Sequence, residues 1–493
     1  MNPTLNIALN GLRMMVAAGS GFAVSVMIAR SLGAREMGIY SFAIWVAGTV
    51  TSLSSLGLPD AISKYVAEHK GLGNRALSVW IARRIVRMQV IAATAAALIA
   101  AAIWGGLQPR QIEIIVLALA TVLPSALQMT LLALMEGEQR FDLQVASTLG
   151  GSLFQVGLVA VIAFRWPSIA GFLAANFAAA VLLLALTYYF SRSMLEFAAG
   201  LPKPAHSPGI VRKVFVFSLA VYGLWLLQMV VFDKSEMLFL RIFSTPDQLA
   251  YYGIAFALTA RLATAGDSVS YVLFPMFVTR FAETGEEGLR VSYRRSITYL
   301  QMLTVPICLW GLPLLPRLIV FAYGPQYENV VAVIRILLVT MLFSITMNVS
   351  SNVVYALDRQ MLLLVTMVPV AVLNIILDLL LIPRFAATGA AIANGVSQAA
   401  GTLGMIAIIR RLLPESFPAR TSMKVYAAGL ASTTPVFCAD LLLRAGWAGM
   451  TLSVAVGLLI YLLLLVSTRT LSGSEFRALK ACFAVSRLKA AKG

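Results

Sequence analysis

Residues 168–190 read SIAGFLAANFAAAVLLLALTYYF, 23 consecutive positions without a charged side chain. A helix rises about 1.5 Å per residue, so roughly 20 apolar residues cover the hydrocarbon core of a bilayer. This stretch is long enough to cross, and its amide, Asn176, needs a partner on a neighbouring helix. Thirteen more stretches of this kind fill most of the chain. The expected helices cover roughly 5–29, 39–63, 86–105, 112–134, 143–164, 168–190, 214–240, 250–277, 297–319, 330–356, 361–382, 389–409, 425–443 and 449–468. Hydrophobic residues make up 60% of the chain and charged residues 12%, with a mean hydropathy of +0.86. Those values exceed ordinary soluble usage, so the sequence predicts an all-α polytopic membrane protein with about 14 transmembrane helices.

The net charge of +17 could suggest nucleic acid, but the placement of the charges speaks against it. Lys and Arg crowd alternate connections: Lys70, Arg75, Arg83, Arg84 and Arg87; then Arg192, Lys203, Arg212 and Lys213. Arg280, Arg290, Arg294 and Arg295 follow, then Arg410, Arg411, Arg420 and Lys424. Positive charge on every second connection marks the cytoplasmic side, and it puts both termini there. The basic tail (Arg477, Lys480, Arg487, Lys489, Lys492) is expected on anionic lipid headgroups. Cys308, Cys438 and Cys482 are far apart and show no disulfide or metal spacing. His69 and His206 both fall in polar connections, which argues against a histidine-based centre. No cleavable signal is expected ahead of the first span.

The longest polar break, Ser191 to Lys213, carries Gly200, Pro202, Pro204 and Pro208 and reads as a linker. The halves on either side resemble each other. The run ending Tyr40-Ser-Phe-Ala43 matches Tyr252-Gly-Ile-Ala255 at an offset of 212. The turn at Glu138 matches that at Asp358 at an offset of 220, and Gly171 to Asn176 matches Gly389 to Asn394 at 218. Six helices per half give both halves the same orientation, as in parallel repeats built for alternating access. The expected organisation is an N-terminal six-helix lobe (1–191), a cytoplasmic linker (192–213) and a C-terminal six-helix lobe (214–412). Two further helices (413–468) and a basic cytoplasmic tail (469–493) lie outside the repeat, and a central cleft separates the lobes. Pro59 and Pro275, late in the second helix of each half, are candidate bend points or tolerated kinks.

Ala29-Arg-Ser-Leu-Gly33-Ala-Arg35-Glu-Met-Gly38-Ile-Tyr40, followed by Ser55-Leu-Gly57-Leu-Pro59-Asp60, resembles the opening of polysaccharide-exporter flippases. These belong to the multidrug/oligosaccharidyl-lipid/polysaccharide flippase superfamily. Phe232-Asp233-Lys234-Ser-Glu236-Met-Leu-Phe-Leu-Arg241 resembles the family's seventh helix, and Pro383 to Asn394 its eleventh-to-twelfth segment. The likeness covers about residues 1–410. It implies that helices one, two, seven and eight line the cleft. Arg13 and Arg261 would then project into one cavity from opposite lobes.

An ionisable group at membrane depth costs roughly 2.5–3.5 kcal/mol on insertion scales, so each needs a reason. Arg13, Lys234, Arg261 and Arg335 are candidate ligands for a pyrophosphate, because arginine's planar fork matches phosphate oxygens at two points. Arg13 either snorkels to the inner face or lines the cavity; Arg335, near an outer helix end, anchors at the interface or does the same. Asp60 and Lys64, four residues apart, are expected to neutralise each other, and Lys234 to be offset by Asp233 and Glu236. Asp233, Asn374, Asp378 and Asn394 are expected at similar depth, where oxygen ligands and carboxylates suit a hard cation. A peptidoglycan-precursor branch of the superfamily has a sodium site on helices seven, eleven and twelve. Asp233, Asn374 and Asp378 align with that pattern, while Asn394 replaces its usual threonine. The alternative is that all four cap helix ends or bond between helices. Tyr40, Trp45, Tyr222, Trp225, Tyr252 and Tyr271 pack the helices or stack on sugar rings.

No GxxxxGK[ST] loop occurs, which speaks against ATP-driven pumping, and every outer connection is too short for glycan chemistry. The sequence therefore predicts a non-enzymatic flippase of a bacterial inner membrane. Its expected substrate is a polyprenyl-pyrophosphate-linked oligosaccharide (an O-antigen, exopolysaccharide or similar repeat unit), moved by alternating access. No cofactor is expected beyond Na+ or H+ as a coupling ion. The expected partners are the lipid-linked oligosaccharide, membrane lipids and the polysaccharide polymerase or export machinery, with no nucleic acid. The alternative is a multidrug-extrusion-type, cation-coupled antiporter, which would need an acidic or aromatic cavity.

Overall fold

A long apolar run in a bilayer must satisfy its own backbone hydrogen bonds, so it forms helix until something compels it to stop. The computed structural model describes residues 3–107, 112–196, 208–229, 235–359, 361–441 and 446–470, and among them every regular element is helical. The helices are α1 (Pro3–Ser54), α2 (Leu58–Gly71), α3 (Arg75–Leu107), α4 (Ile112–Leu119), α5 (Val122–Gly137), α6 (Phe141–Arg165) and α7 (Ile169–Leu195). They continue with α8 (Pro208–Met229), α9 (Ser235–Phe243), α10 (Pro246–Tyr323), α11 (Val330–Ala356), α12 (Met361–Leu412), α13 (Ala419–Leu441) and α14 (Trp447–Ser467). Among the described residues nine helical stretches are long and apolar enough to cross a membrane. Exposed Leu12, Ile91, Leu98, Phe164 and Leu403 are of the kind that lipid, not water, would cover.

Each of the fourteen expected helices has a counterpart among the described residues, α8 and α9 for the one expected over 214–240, of which 230–234 lie outside them, but the connections differ. Helices α1, α10 and α12 each join two expected spans through one non-helical residue: Gly33 (φ 77°), Gly285 (φ 63°) and Ala386 (φ 48°). Ser41 packs beside Gly253 while Gly21 packs beside Arg261. On a straight rod Gly21 and Ser41 would be about 30 Å apart, but Gly253 and Arg261 are separated by only about 12 Å of helix. So α1 folds back at Gly33. Likewise Gly389 abuts the Leu381 carbonyl, which eight residues of straight helix would hold about 12 Å away.

Two expected helices are broken. The span expected over 39–63 ends at Ser54, turns through Leu56 (φ 49°) and Gly57 (φ 69°), and restarts at Leu58. Pro59 therefore opens α2, where its missing N–H costs nothing, instead of bending a continuous helix. The span expected over 112–134 breaks between Leu119 and Val122, ahead of Pro124, which has no N–H for the Ala120 carbonyl. Pro275 lies within α10, but its side chain falls outside those described. The two turns matched in the repeat share one backbone pattern: the N–H groups of 138, 139 and 140 bond the carbonyls of 134, 136 and 135, and those of 357, 358 and 359 bond 353, 355 and 354. Gln139, not Glu138, stands in register with Asp358: both take the left-handed position at their helix end, which puts the turns at an offset of 219 instead of 220.

The chain packs as two compact units, one of residues 1–261 with 322–327 and 375–390, the other of 262–321, 328–374 and 391–493. In the first, Leu58, Ile62, Tyr65, Ile81, Ile85, Leu131 and Leu134 build a buried core. Glycines there let backbones touch: a side chain on Gly38 would overlap the Pro246 carbonyl, one on Gly57 the Ser218 carbonyl, and one on Gly137 the Ser63 carbonyl. In the second unit α13 and α14 pack on the later limb of α10 through Val305, Leu309, Val425 and Tyr461. There the Trp310 indole donates to Ser432, the Tyr461 hydroxyl donates to the Met302 carbonyl, and Arg317 pairs with Asp440.

Candidate functional site

Within the first unit, both limbs of α1 together with α6, α7 and the start of α10 enclose a cavity of about 750 Å³. Its wall carries many neutral polar groups, including Ser41, Thr51, Ser125, Gln155 and Asn176. The Gln155 amide donates to the Asn176 side-chain oxygen at 2.9 Å, and the Asn176 amide donates to the Tyr40 hydroxyl. That chain ties α6 and α7 to α1, so one polar ladder both joins the helices and faces the cavity. Trp45 lies on the same wall, stacked on Phe42 with ring centroids 5.5 Å apart. Its buried indole N–H has no partner among the described residues.

Arg261 is the single charged side chain among the described residues of this wall, and no carboxylate accompanies it. One guanidinium N–H donates to the Ala257 carbonyl one turn earlier, at 3.2 Å. Its other terminal nitrogen lies 2.9 Å from the point a side chain on Gly21 would occupy. The missing side chain at Gly21 therefore leaves the guanidinium its room. Sequence reading missed Gly21, because nothing in a run of small apolar residues marks the one that faces a cation.

Among the described residues, the other anticipated pyrophosphate and cation ligands are not part of this wall, and Asn374 and Asp378 lie one turn apart on α12. Arg13 is half-buried on α1, where its guanidinium donates twice to the Asn10 side-chain oxygen at 3.2 and 3.0 Å, and it is not part of the cavity wall. Both Arg13 and Arg261 belong to the first unit. Arg335 is exposed on α11 in the second unit and donates to the Leu312 carbonyl at 3.4 Å. Asp233 and Lys234 lie outside the described residues. Asp60 and Lys64 form no ion pair; the Lys64 ammonium sits 3.9 Å from the centroid of the Phe217 ring. A cation over an aromatic face keeps its electrostatic partner without the carboxylate.

Asp378 is fully buried in the first unit and accepts a hydrogen bond from the Ser235 hydroxyl at 2.9 Å. Glu236, next to Ser235 on α9, is only 1% exposed. The sequence had offered Glu236 only as an offset to Lys234; an acid inside an apolar run was the available signal for more. Asn374 and Asn394 are buried in the second unit, where the Gln398 amide donates to Asn394 at 3.0 Å and Ser344 bonds Gln398.

The family model described as polysaccharide biosynthesis protein matches residues 4–281. A sequence search of curated proteins gives no match. Among solved structures the fold is similar to the lipid II flippase MurJ in an inward closed conformation, with a TM-score of 0.70 at 12% identity, covering 94% of this chain and 99% of that one. It is also similar to an inward-facing multidrug resistance MATE family transporter, with a TM-score of 0.64 at 13% identity over 83% of this chain and 98% of that one. A third, a transporter of the same superfamily from Pyrococcus furiosus with a binding pocket of reverse polarity, gives a TM-score of 0.59 at 13% identity, covering 83% of this chain and 97% of that one. At such identities these likenesses speak for the fold. The family match spans more than half of the sequence, so this chain is a multi-pass member of the polysaccharide biosynthesis protein family, built on the fold of the multidrug/oligosaccharidyl-lipid/polysaccharide flippase superfamily.

Proposed function

We propose that this chain is a flippase that moves a polyprenyl-pyrophosphate-linked oligosaccharide across a bacterial cytoplasmic membrane. The observation that carries this reading is the cavity wall: a single arginine, no carboxylate among the described residues, and a surround of hydroxyls and amides. A low-dielectric cavity with one net positive charge favours an anionic group and repels cations. A pyrophosphate supplies that anion, and glycan hydroxyls match Ser, Thr, Asn and Gln. The unpartnered Trp45 indole adds a donor beside an aromatic face, a pairing suited to a sugar ring. A multidrug antiporter that binds cations would need the opposite charge on this wall.

The two sequence-defined lobes rock about the cavity in this proposal, and the ion-coupling element is Asp378 with Ser235 and Glu236. The partners are membrane lipids and the machinery that polymerises or exports the glycan. The decisive experiment is Arg261→Ala in the host, with polyprenyl-linked glycans assayed on each face of the membrane. We expect one complete glycan to accumulate on the cytoplasmic leaflet while folded protein stays at its normal level. Full export by that variant would overturn the assignment. Sensitivity to cationic drugs without glycan accumulation would favour the antiporter. Coupling is tested separately: transport that neither depends on Na+ or pH nor changes in Asp378→Asn would remove Asp378 from the mechanism.

A further inference from the structure

On the basic side of the first unit, α2, α3 and α8 enclose a second pocket, separate from the cavity of Arg261, with a volume of about 320 Å³. Its walls are apolar: Leu58, Trp80, Ile85, Met88 and Phe215 among them. Two arginines, Arg84 and Arg212, line it as well, both exposed and neither with an ion-pair partner among the described residues. No carboxylate belongs to the described lining. Of the two acids on α2, neither lines the pocket: Glu68 is engaged by Lys213 at 3.3 Å, and Asp60, in the first turn, is exposed. Two unpaired guanidinium groups beside an apolar slot fit an amphiphile with an anionic head.

A second observation is independent of charge. Ser218, one of the lining residues, is only 2% exposed, yet its hydroxyl bonds nothing among the described residues. A helical serine in an apolar setting ordinarily bonds back to a carbonyl one turn earlier, and leaving a buried hydroxyl unpaired is costly. Along α8, Arg212 and Ser218 are six residues apart, about 9 Å of rise. An anionic glycerophospholipid has this layout, with a phosphate, then ester carbonyls a short distance deeper, then acyl chains. Free phosphate would leave Ser218 and the apolar wall unused.

We propose that this pocket binds an anionic glycerophospholipid. Its phosphate lies on Arg84 and Arg212, an ester carbonyl accepts from the Ser218 hydroxyl, and an acyl chain runs along Ile85, Met88 and Phe215. The site does not depend on which substrate the other cavity takes.

The test uses the purified full-length chain in detergent, with phosphatidylglycerol and phosphatidylcholine of identical chains as probes and native mass spectrometry as the readout. A basic residue near a membrane surface contributes about 1 kcal/mol toward anionic lipid, so two give a preference of at least roughly tenfold for phosphatidylglycerol. The Arg84→Gln/Arg212→Gln variant is expected to bind both lipids equally, with its melting temperature in phosphatidylcholine unchanged. Ser218→Ala is expected to weaken both lipids several-fold while keeping the preference. Should the double variant not fold, brominated phosphatidylglycerol is expected to quench wild-type fluorescence by a component that Trp80→Phe removes. Equal binding of the two lipids by the wild type, or a preference surviving the double substitution, would overturn the site. So would polyprenyl phosphate binding with that arginine dependence while phosphatidylglycerol does not.

Discussion

A guanidinium inside a membrane protein needs both a reason and room, and Arg261 takes its room from Gly21. Gly21→Val should displace Arg261 and reduce glycan export about as far as Arg261→Ala, whereas Gly19→Ala, with nothing within 4 Å, should leave export unchanged. Export assays on the three variants check this. At the turn between α5 and α6, Glu138 accepts from Lys70 at 2.7 Å and from Arg75 at 2.6 Å. Burial pushes its carboxyl up, but the hydrogen bonds and charges of Lys70 and Arg75 outweigh that and hold it below the ordinary value of 4.5. A depressed pKa in the folded state contributes stability that is present above the unfolded value and lost as pH falls through the folded one. Melting temperature should therefore drop as the pH goes below about 4.5, and Glu138→Gln should remove that part of the acid sensitivity. The same variant should cost about 1.5–3 kcal/mol at neutral pH, the range for hydrogen bonds to charged groups. Arg261 was legible in the sequence because a charge in an apolar run stands out. Gly21 was not, because its contribution is an absent side chain. The Asp60–Lys64 pair failed because spacing gives neighbours on one helix and says nothing of Phe217 arriving from another.

Among the helices, the close approaches at Gly38 and Gly57 are the most sensitive points. Alanine at either would meet a backbone carbonyl, which cannot swing aside as a flexible side chain can. Overpacking of this kind costs typically 1–3 kcal/mol, and at Gly57 the left-handed φ of 69° adds strain. Gly38→Ala and Gly57→Ala should both lower the melting temperature, while Gly11→Ala should hold or raise it, since alanine is the better helix former. Tyr327 donates to the Ala29 carbonyl at 2.8 Å and Tyr323 to the Ser25 hydroxyl at 3.2 Å, both on the first limb of α1. Tyr327→Phe should cost about 1 kcal/mol, read as a shifted denaturation midpoint. Helix number and order were legible because apolar length decides them. The fold-backs at Gly33 and Ala386 were not, because polar loops were expected where one residue suffices.

For the chain as a whole, the orientation proposed from the sequence has an even number of crossings and, from its basic connections, both termini in the cytoplasm. Alkaline phosphatase fused after Ser467 should be inactive, and after Trp166, in the turn between α6 and α7, active. The reverse pattern would refute the orientation. The repeat was readable because its turns keep one backbone pattern at Gln139 and Asp358. The compact units were not, since residues 322–327 and 375–390 join the first unit from far along the chain.

The contacts of Gly38, Gly57 and Gly137 with facing carbonyls carry one last consequence. Helix pairs usually lock by ridges of side chains seated in grooves, and sliding must lift every ridge. Where a bare backbone lies against a carbonyl, only a residue without a side chain fits, and a slide of one position would drive Met37 or Ile39, Leu56 or Leu58, into that carbonyl. These contacts therefore act as detents: each fixes the register of the two backbones that meet there, and parts of the unit that move must move as whole blocks about them.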